Sequence, residues 1–464
     1  MIGGIHLNSN TDLGKDNIFK LLFKLSTPAI IAQLVNVLYN IIDRIFIGKM
    51  ENGELAMAGV GIAFPIILII NSFSSLVGMG GAPLCAIKLG EGDNEGAKKI
   101  MNNGFSMLLL ASLILTIFFS IFKENILIMF GASEHTLPYA VDYIGIYVLG
   151  TVFVQISLGM NSYINTQGFA KIGMMTVTLG AIINIILDPI LIFGFGLGVK
   201  GAAIATIISQ AVSALWVLKF LTGKKTTLKL TKNSLGFDKK ITKSIASLGI
   251  APFAMQATES LVIISLNSQL AKFGGDLAVG AMTIMSSINQ LVLLPNLGFT
   301  QGSQPIISYN LGAKNLSRVR NTFKLTVLVC STYTLIIYLF IHNIPEVFVS
   351  LFNNDPELMK ITVDSIRIFF AGIIILGFQV SCQTTTLALG EAKISLFIAT
   401  LRKVILLIPL IFILPNFFED KMFAILVSAP IADFVTVIIT AILFYRLYKS
   451  KLYEETSVIS EKKA

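Results

Sequence analysis

Long apolar segments recur along the chain from Phe19 to Tyr448, separated by short polar stretches. An α-helix needs roughly 20 apolar residues, at about 1.5 Å each, to cross a bilayer. No stretch between these segments is long enough for a soluble domain. The pattern predicts an all-α polytopic membrane protein with twelve spans, at residues 19–43, 55–80, 100–122, 138–165, 172–194, 201–222, 244–271, 277–301, 320–342, 361–388, 394–415 and 422–446.

Composition agrees with this pattern. Of the 464 residues, 54% are hydrophobic and 13% are charged, whereas about 25% of the residues in a soluble domain are charged. The first residues, Met1 to Lys15, are polar and lack the basic-then-apolar order of a cleavable signal, so we expect the first span to be retained.

The basic residues predict the orientation of the spans. When loops are assigned alternately to the two sides, 27 Lys and Arg residues fall on one side and 8 on the other. Basic residues stay cytoplasmic, so we expect a cell-membrane protein with both termini in the cytoplasm. The net charge of +9 comes mainly from these short loops, and nucleic acid is not an expected partner.

The chain also contains an internal repeat. When the sequence is aligned with itself at one constant offset, called the repeat shift below, similar motifs coincide. Pro83 and Leu89-Gly90 align with Pro305 and Leu311-Gly312, and Gly168-Phe-Ala-Lys171 aligns with Gly390-Glu-Ala-Lys393. Because the repeat shift covers six helices, an even number, the two halves have the same orientation. We predict an N-terminal six-helix bundle at 1–222, a cytoplasmic linker at 223–243, and a C-terminal six-helix bundle with a cytoplasmic tail at 244–464.

Four acidic residues fall within predicted spans: Asp43, Asp188, Glu259 and Asp433. A carboxylate at bilayer depth costs at least about 2.5 kcal/mol, so it normally faces a cavity or a partner and serves transport. The structural alternative is a satisfied internal hydrogen bond. Asp433 fits helix packing as well as it fits transport, and we leave it out of the predicted site.

Polar residues in the first half form one stripe on each of three helices, because they recur with helical spacing. Lipid does not tolerate such stripes, so we expect them to face one another. The stripes are Asn36, Tyr39, Asn40 and Asp43; Asn184 and Asp188; and Thr206, Ser209, Gln210 and Ser213.

The chemistry of these stripes predicts a cation-coupling site. Two carboxylates in a partly dry site repel each other, which favours binding of a proton. The surrounding amide and hydroxyl oxygens equally suit Na⁺, for which Asp43, Asn184 and Asp188 are the expected ligands. The sequence does not separate H⁺ from Na⁺, and no further cofactor is expected.

The second half lacks a matching cluster, because the repeat shift places Asn184 and Asp188 on Leu406 and Leu410. Glu259, with Gln256 one turn before it, is the exception, and we expect it to face a substrate.

These residues give the chain a resemblance to the multidrug and toxic compound extrusion (MATE) family, and within it to the MepA-type branch. The resemblance covers all twelve spans, and it rests on Pro28, Tyr39, Asp43-Arg-Ile-Phe-Ile-Gly48, Leu89-Gly90-Glu-Gly, Asn184-Ile-Ile-Leu-Asp188-Pro189 and Leu311-Gly312-Ala-Lys. Some branches place a further acid on the tenth helix, where this chain has Gly377-Phe378-Gln379.

The resemblance implies two six-helix bundles around a central cavity that alternates between the two sides of the membrane. It implies that Tyr39, Asp43, Asn184, Asp188 and Thr206 bind the coupling ion, H⁺ or Na⁺. It also implies small-molecule organic cations as substrates, for which Glu259, Gln256, Asn36 and Asn40 are the candidate contacts. We expect a monomer in contact with membrane lipid.

Three other functions remain open. A flippase for a lipid-linked saccharide with an anionic head group should line its cavity with Arg or Lys, and none is predicted deep in a span of the first half. An integral-membrane transferase should carry a His/Asp or metal-ligand cluster, but the three histidines are predicted to lie in the N-terminal tail or in loops. A gated channel fits a two-fold repeat with paired buried acids less well than alternating access does.

Overall fold

The computed structural model describes residues 12–231, 236–350 and 356–454. Within these ranges the regular secondary structure is helical, with no strand. The chain divides into two compact units. The first unit comprises Met1–Asp16 and Thr27–Phe253, and the second comprises Asn17–Ser26 and Ala254–Ala464.

The first unit contains the helices α1 to α8, except for the first residues of α1 and the end of α8, which belong to the second unit. These helices are α1 (Ile18–Gly48), α2 (Gly53–Gly90), α3 (Asn94–Met129), α4 (Leu137–Leu149), α5 (Thr151–Thr166), α6 (Ala170–Pro189), which continues as a π-helical turn (Ile190–Gly194), α7 (Gly198–Thr222) and α8 (Lys239–Ala257).

The second unit contains one very long helix, α9, and several shorter helices joined by short irregular segments. These are α9 (Glu259–Gly312), α10 (Leu316–Asn343), α11 (Pro345–Ser350), α12 (Pro356–Phe369), a 3₁₀ turn (Phe370–Gly372), α13 (Ile373–Ala388), α14 (Ala392–Thr400), a π-helical segment (Leu401–Leu407), α15 (Ile408–Ile413), a 3₁₀ turn (Leu414–Asn416) and α16 (Lys421–Lys449), followed by a π-helical turn (Ser450–Glu454).

The all-α polytopic fold is confirmed. In the described part of the chain, ten helices are long and apolar enough to cross a membrane, and α4 with α5 makes eleven if the bent pair is one span. The remaining predicted span, 277–301, lies in α9 beyond Gly275, where the backbone leaves the helical conformation with φ of +67°. The eleven spans do not include this segment.

The fourth predicted span is a bent pair of helices rather than one straight helix. α4 and α5 meet at Gly150 with a bend of 60°. A Cβ atom on Gly150 would lie 2.2 Å from the side chain of Ile207 on α7. The absence of a side chain at Gly150 therefore lets α7 pack into the bend.

The internal repeat is present in the backbone itself. Gly92 and Lys314, which the repeat shift places on each other, both have positive φ, and so do Gly168 and Gly390. The residues that follow the first pair, Asp93 and Asn315, cap α3 and α10 by accepting a backbone hydrogen bond from the residue three positions later. The two halves therefore use the same turn and cap at the same shift.

The predicted linker, 223–243, begins with a segment held against the first unit. Gln167 is fully buried, and its Oε1 accepts hydrogen bonds from the Thr226 hydroxyl (2.8 Å) and from the backbone N–H groups of Thr227 (3.0 Å) and Leu228 (2.9 Å). Residues 232–235 lie outside the described part of the chain. The predicted boundaries at 222 and 244 remain a prediction based on the repeat, while the residue range of the first compact unit ends at Phe253.

We predict that Gln167→Leu releases the segment that follows α7, because three hydrogen bonds lose their shared acceptor while the side-chain volume changes little. Trypsin should then cleave after Lys224, Lys225 or Lys229 faster than in the unmodified protein. Thr222→Ala is the matched control, since the exposed Thr222 hydroxyl bonds only to Leu218 of its own helix among the described contacts. Equal cleavage rates for both variants would contradict the prediction.

We predict that Gly249→Ala lowers the apparent unfolding temperature. A Cβ atom on Gly249 would lie 1.8 Å from the carbonyl oxygen of Leu76 on α2, so the two helices would have to separate. Such overpacking costs about 1–3 kcal/mol. Gly61→Ala on α2 is the control, because nothing lies within 4 Å of its Cβ position, and thermal unfolding of the purified proteins measures the difference. An equal temperature for both variants would refute the close packing.

Candidate functional site

The three predicted polar stripes of the first half meet in the first unit. Asp43 on α1 is only 8% exposed, and Asn184 and Asp188 on α6 are fully buried. Thr206 on α7 is also buried. The helical spacing correctly placed these side chains on inward faces, as the cost of exposing polar groups to lipid requires.

Direct contacts connect these residues. The amide nitrogen of Asn184 donates to Oδ1 of Asp188 at 3.2 Å and lies 3.5 Å from the hydroxyl of Thr206. The carboxyl groups of Asp43 and Asp188 are close enough to interact electrostatically. Arg44, the next residue on α1, is the basic residue that acts electrostatically on Asp43.

The site has more acceptors than donors. In the described part of the chain, no donor reaches Oδ1 of Asp43, Oδ1 of Asn184 or Oδ2 of Asp188, although all three oxygens are buried. Buried acceptors normally have a partner, and one without a partner costs about 1–3 kcal/mol. Oxygen atoms alone suit a proton or a hard cation such as Na⁺, so this donor set fits either coupling ion.

The described residues contain no group of three or more His, Cys, Asp or Glu side chains that could hold a metal ion. A metal ion at this site would therefore need amide or hydroxyl oxygens in addition to the two carboxylates.

Two tyrosines on α4 belong to this site, and the sequence reasoning missed them. Tyr143 and Tyr147 are both buried, and their rings stack with centroids 6.3 Å apart. The Tyr143 side chain lies beside Thr206 and interacts electrostatically with Asp43. Their spacing of four residues would have placed them on one helical face, but tyrosine on an apolar helix carries little signal for a polar site.

An open cavity lies within the first unit, between polar residues of α1 and α7. Tyr39 and Asn36, one and two turns before Asp43 on α1, line it together with Gln210 on α7. The Gln210 side chain accepts a hydrogen bond from Ser157 at 2.5 Å. Asn40 is part of α1, but its side chain lies outside the described part of the structure.

A second open cavity lies within the second unit, and Glu259 lines it. Lys403 forms an ion pair with Glu259, and Arg402 forms one with Asp433 at 2.5 Å. Glu259 therefore shares its cavity with three further charged groups. Gln256 is half-buried on α8 and is not among the residues that line it.

Arg402 and Lys403 also correct the charge count. Both were counted with the cytoplasmic charges although the predicted span 394–415 contains them, and they lie within the apolar helical segment Ala392–Asn416. Removing them from the 27 cytoplasmic basic residues leaves 25 against 8, so the expected orientation does not change.

A polytopic helical chain with an internal repeat and paired buried carboxylates has the architecture of a membrane transporter. The family model described as MatE matches residues 28–190 and 252–413, one match in each half. The chain belongs to this family, the MATE transporters. The two matches begin at Pro28 in α1 and at Pro252 in α8.

Similar proteins cover nearly the whole chain. The chain is 27% identical over 452 residues to the multidrug export protein MepA of Staphylococcus haemolyticus (strain JCSC1435), covering 96% of this chain and 97% of that protein. It is 25% identical over 447 residues to MepA of Staphylococcus aureus (strain MSSA476), covering 96% and 98%. A crystal structure of a MATE protein in complex with MaD3S has the same fold, with a TM-score of 0.88 at 23% identity, covering 95% and 98%.

Proposed function

We propose that this transporter exports lipophilic organic cations, including drugs, in exchange for H⁺ or Na⁺ by alternating access. The observation that supports it most directly is the group of buried acceptor oxygens without donors on Asp43, Asn184 and Asp188. A proton or Na⁺ supplies the missing positive charge. The same oxygens lose that compensation when the ion leaves.

The geometry of α1 supports a coupling between this ion and a substrate. Asn36 and Tyr39 share a face of α1 with Asp43 and line the first-unit cavity. An ion at Asp43 neutralises the charge next to this cavity, which weakens its attraction for a second cation. Binding of the ion and binding of an organic cation would then oppose each other, as antiport requires.

The relatives support the substrate class. Two proteins that align over nearly the full length are named multidrug export proteins. In this proposal Asn36, Asn40, Gln256 and Glu259 contact the substrate, with Glu259 attracting positive charge. The protein acts as a monomer in the cell membrane with both termini in the cytoplasm, and it needs no cofactor other than the coupling ion.

The competing functions have less support. A flippase for an anionic lipid needs basic groups that are free to bind it, whereas Arg402 and Lys403 each pair with a carboxylate. A membrane transferase needs a catalytic cluster, and the described residues contain no His, Cys, Asp or Glu group suited to a metal.

We predict that Asp43→Asn and Asp188→Asn each lower gradient-driven export at least about tenfold. Each change removes a charge with little change in volume, and a charge-assisted contact contributes about 1.5–3 kcal/mol. Ethidium transport by purified protein in proteoliposomes measures the rate, with a proton gradient and a sodium gradient imposed in separate experiments. Asp142→Asn is the control, because Asp142 is exposed and pairs with Lys200 at 3.4 Å.

Near-normal ethidium transport by Asp43→Asn or Asp188→Asn would overturn the site. Absence of ethidium transport by the unmodified protein under both gradients would overturn the antiport itself.

A further inference from the structure

His342 lies at the end of α10, and both of its ring nitrogens face backbone carbonyl oxygens. Nδ1 lies 3.0 Å from the carbonyl oxygen of Tyr338 on the same helix, and Nε2 lies 3.1 Å from that of Arg367 on α12. A neutral imidazole has one N–H donor, and its other nitrogen is an acceptor. Only the protonated ring can donate to both carbonyl oxygens, so the charged form of His342 fits this position better than the neutral form.

The groups around His342 are consistent with a charged ring. The Tyr338 ring lies against it, with centroids 3.9 Å apart, and an aromatic face attracts a cation. The charged residues on the elements that pack against α10 are Glu259, Lys272 and Asp276 on α9, Glu346 on α11, Glu357, Lys360, Asp364 and Arg367 on α12, and, at the opposite end of α10, Lys451 and Glu454. Within the described part of the chain His342 forms no ion pair with any of them, so its two carbonyl contacts distinguish its charge states.

The carbonyl group of Arg367 precedes a break in a membrane span. α12 ends at Phe369, and the 3₁₀ turn Phe370–Gly372 separates it from α13. A 3₁₀ stretch within a helical span often marks a functional hinge. Phe369 and Phe370 line the cavity of the second unit. The contact with His342 therefore lies on the segment that carries these two aromatic side chains.

The first half breaks at the equivalent position. The repeat shift places Gly150, where α4 and α5 meet with a bend of 60°, on Gly372, the last residue of the 3₁₀ turn. It places Gly145 on Arg367. A Cβ atom on Gly145 would lie 2.9 Å from the ammonium nitrogen of Lys123 on α3, the helix that corresponds to α10. Each half therefore has a basic side chain against the helix five residues before its break.

The two basic side chains differ in how they respond to pH. Lysine stays charged well above neutral pH, whereas histidine is the side chain that changes its charge between about pH 5 and about pH 8. The first half therefore holds a fixed charge beside its break, and the second half holds a titratable one.

We propose that His342 is a pH-dependent lock on the hinge Phe370–Gly372. At low pH the imidazolium donates to both carbonyl oxygens and fixes the end of α12 against α10. Because the locked hinge makes more contacts with the protonated ring, its stabilisation is present at low pH and is lost as the pH rises. Loss of the proton removes one of the two hydrogen bonds and releases the hinge.

This proposal goes beyond ion coupling and rests on the proposed function only for the orientation of the chain. With both termini in the cytoplasm, His342 lies on the outer side of the membrane, which is the acidic side under an inward proton gradient. The lock then closes when the gradient is present. The position of Phe369 and Phe370 in the second-unit cavity responds to the same proton concentration that drives export, although His342 carries no transported proton.

Amide hydrogen exchange at the hinge tests the proposal with the full-length protein in lipid nanodiscs, without any ion gradient. Each variant is compared with the unmodified protein at the same pH, about 5 and then about 8, so the intrinsic pH dependence of exchange cancels. At the lower pH the hinge amides of His342→Phe should exchange about tenfold faster than those of the unmodified protein, the effect of losing one charge-assisted hydrogen bond. At the higher pH this ratio should fall towards one.

His342→Lys introduces a fixed charge like that of Lys123. Its hinge should exchange as slowly as that of the unmodified protein at about pH 5 and more slowly than it at about pH 8. His135→Phe is the matched control, because His135 is exposed in the loop between α3 and α4, and it should leave hinge exchange unchanged at both pH values.

The same exchange ratio for His342→Phe at both pH values would overturn the lock, and so would faster hinge exchange in His342→Lys than in the unmodified protein at both. Failure of ethidium antiport in proteoliposomes would overturn the proposed function and would leave the exchange result standing.

Discussion

A carboxylate in the membrane interior must find compensating charge or hydrogen bonds, and this requirement governs the organisation of both units. The cost is at least about 2.5 kcal/mol for each acid. In the first unit Asp43 and Asp188 share one buried site and retain acceptor oxygens without donors. That site is surrounded by the polar faces of α1, α6 and α7 and by the tyrosines of α4. These polar side chains lie there because the lipid-facing sides of the helices could not accommodate them.

The second unit meets the same requirement in the opposite way. Its membrane acids, Glu259 and Asp433, are each paired with a basic residue from the π-helical segment. The two repeated halves therefore share turns and caps but differ in the charges that they place within the membrane. In the function that we propose, a mobile ion supplies the positive charge in the first unit, whereas the chain itself supplies it in the second.

Much of this could be predicted from the sequence. The helices follow from hydropathy, the repeat follows from motifs that recur at one constant shift, and the Asp43–Asp188 site follows from helical spacing. Arg402 and Lys403 fell inside the predicted span 394–415 but were counted with the cytoplasmic charges, because hydropathy does not reveal that each has an acidic partner on another helix. Tyr143 was missed for a related reason, since its polarity becomes relevant only once Thr206 is known to lie beside it.

The contrast between the units bears on how coupling and specificity can coexist in one chain. In the proposed function, the first-unit site gains and loses a cation, and it needs acceptors that the described residues do not satisfy, as at Asn184 and Asp188. The proposed substrate contact needs a partner that a ligand can replace, as Glu259 has in Lys403. A single cavity could not meet both needs, because a resident lysine would neutralise the ion site. Duplication of the six-helix half allows each unit to keep one of these properties without weakening the other.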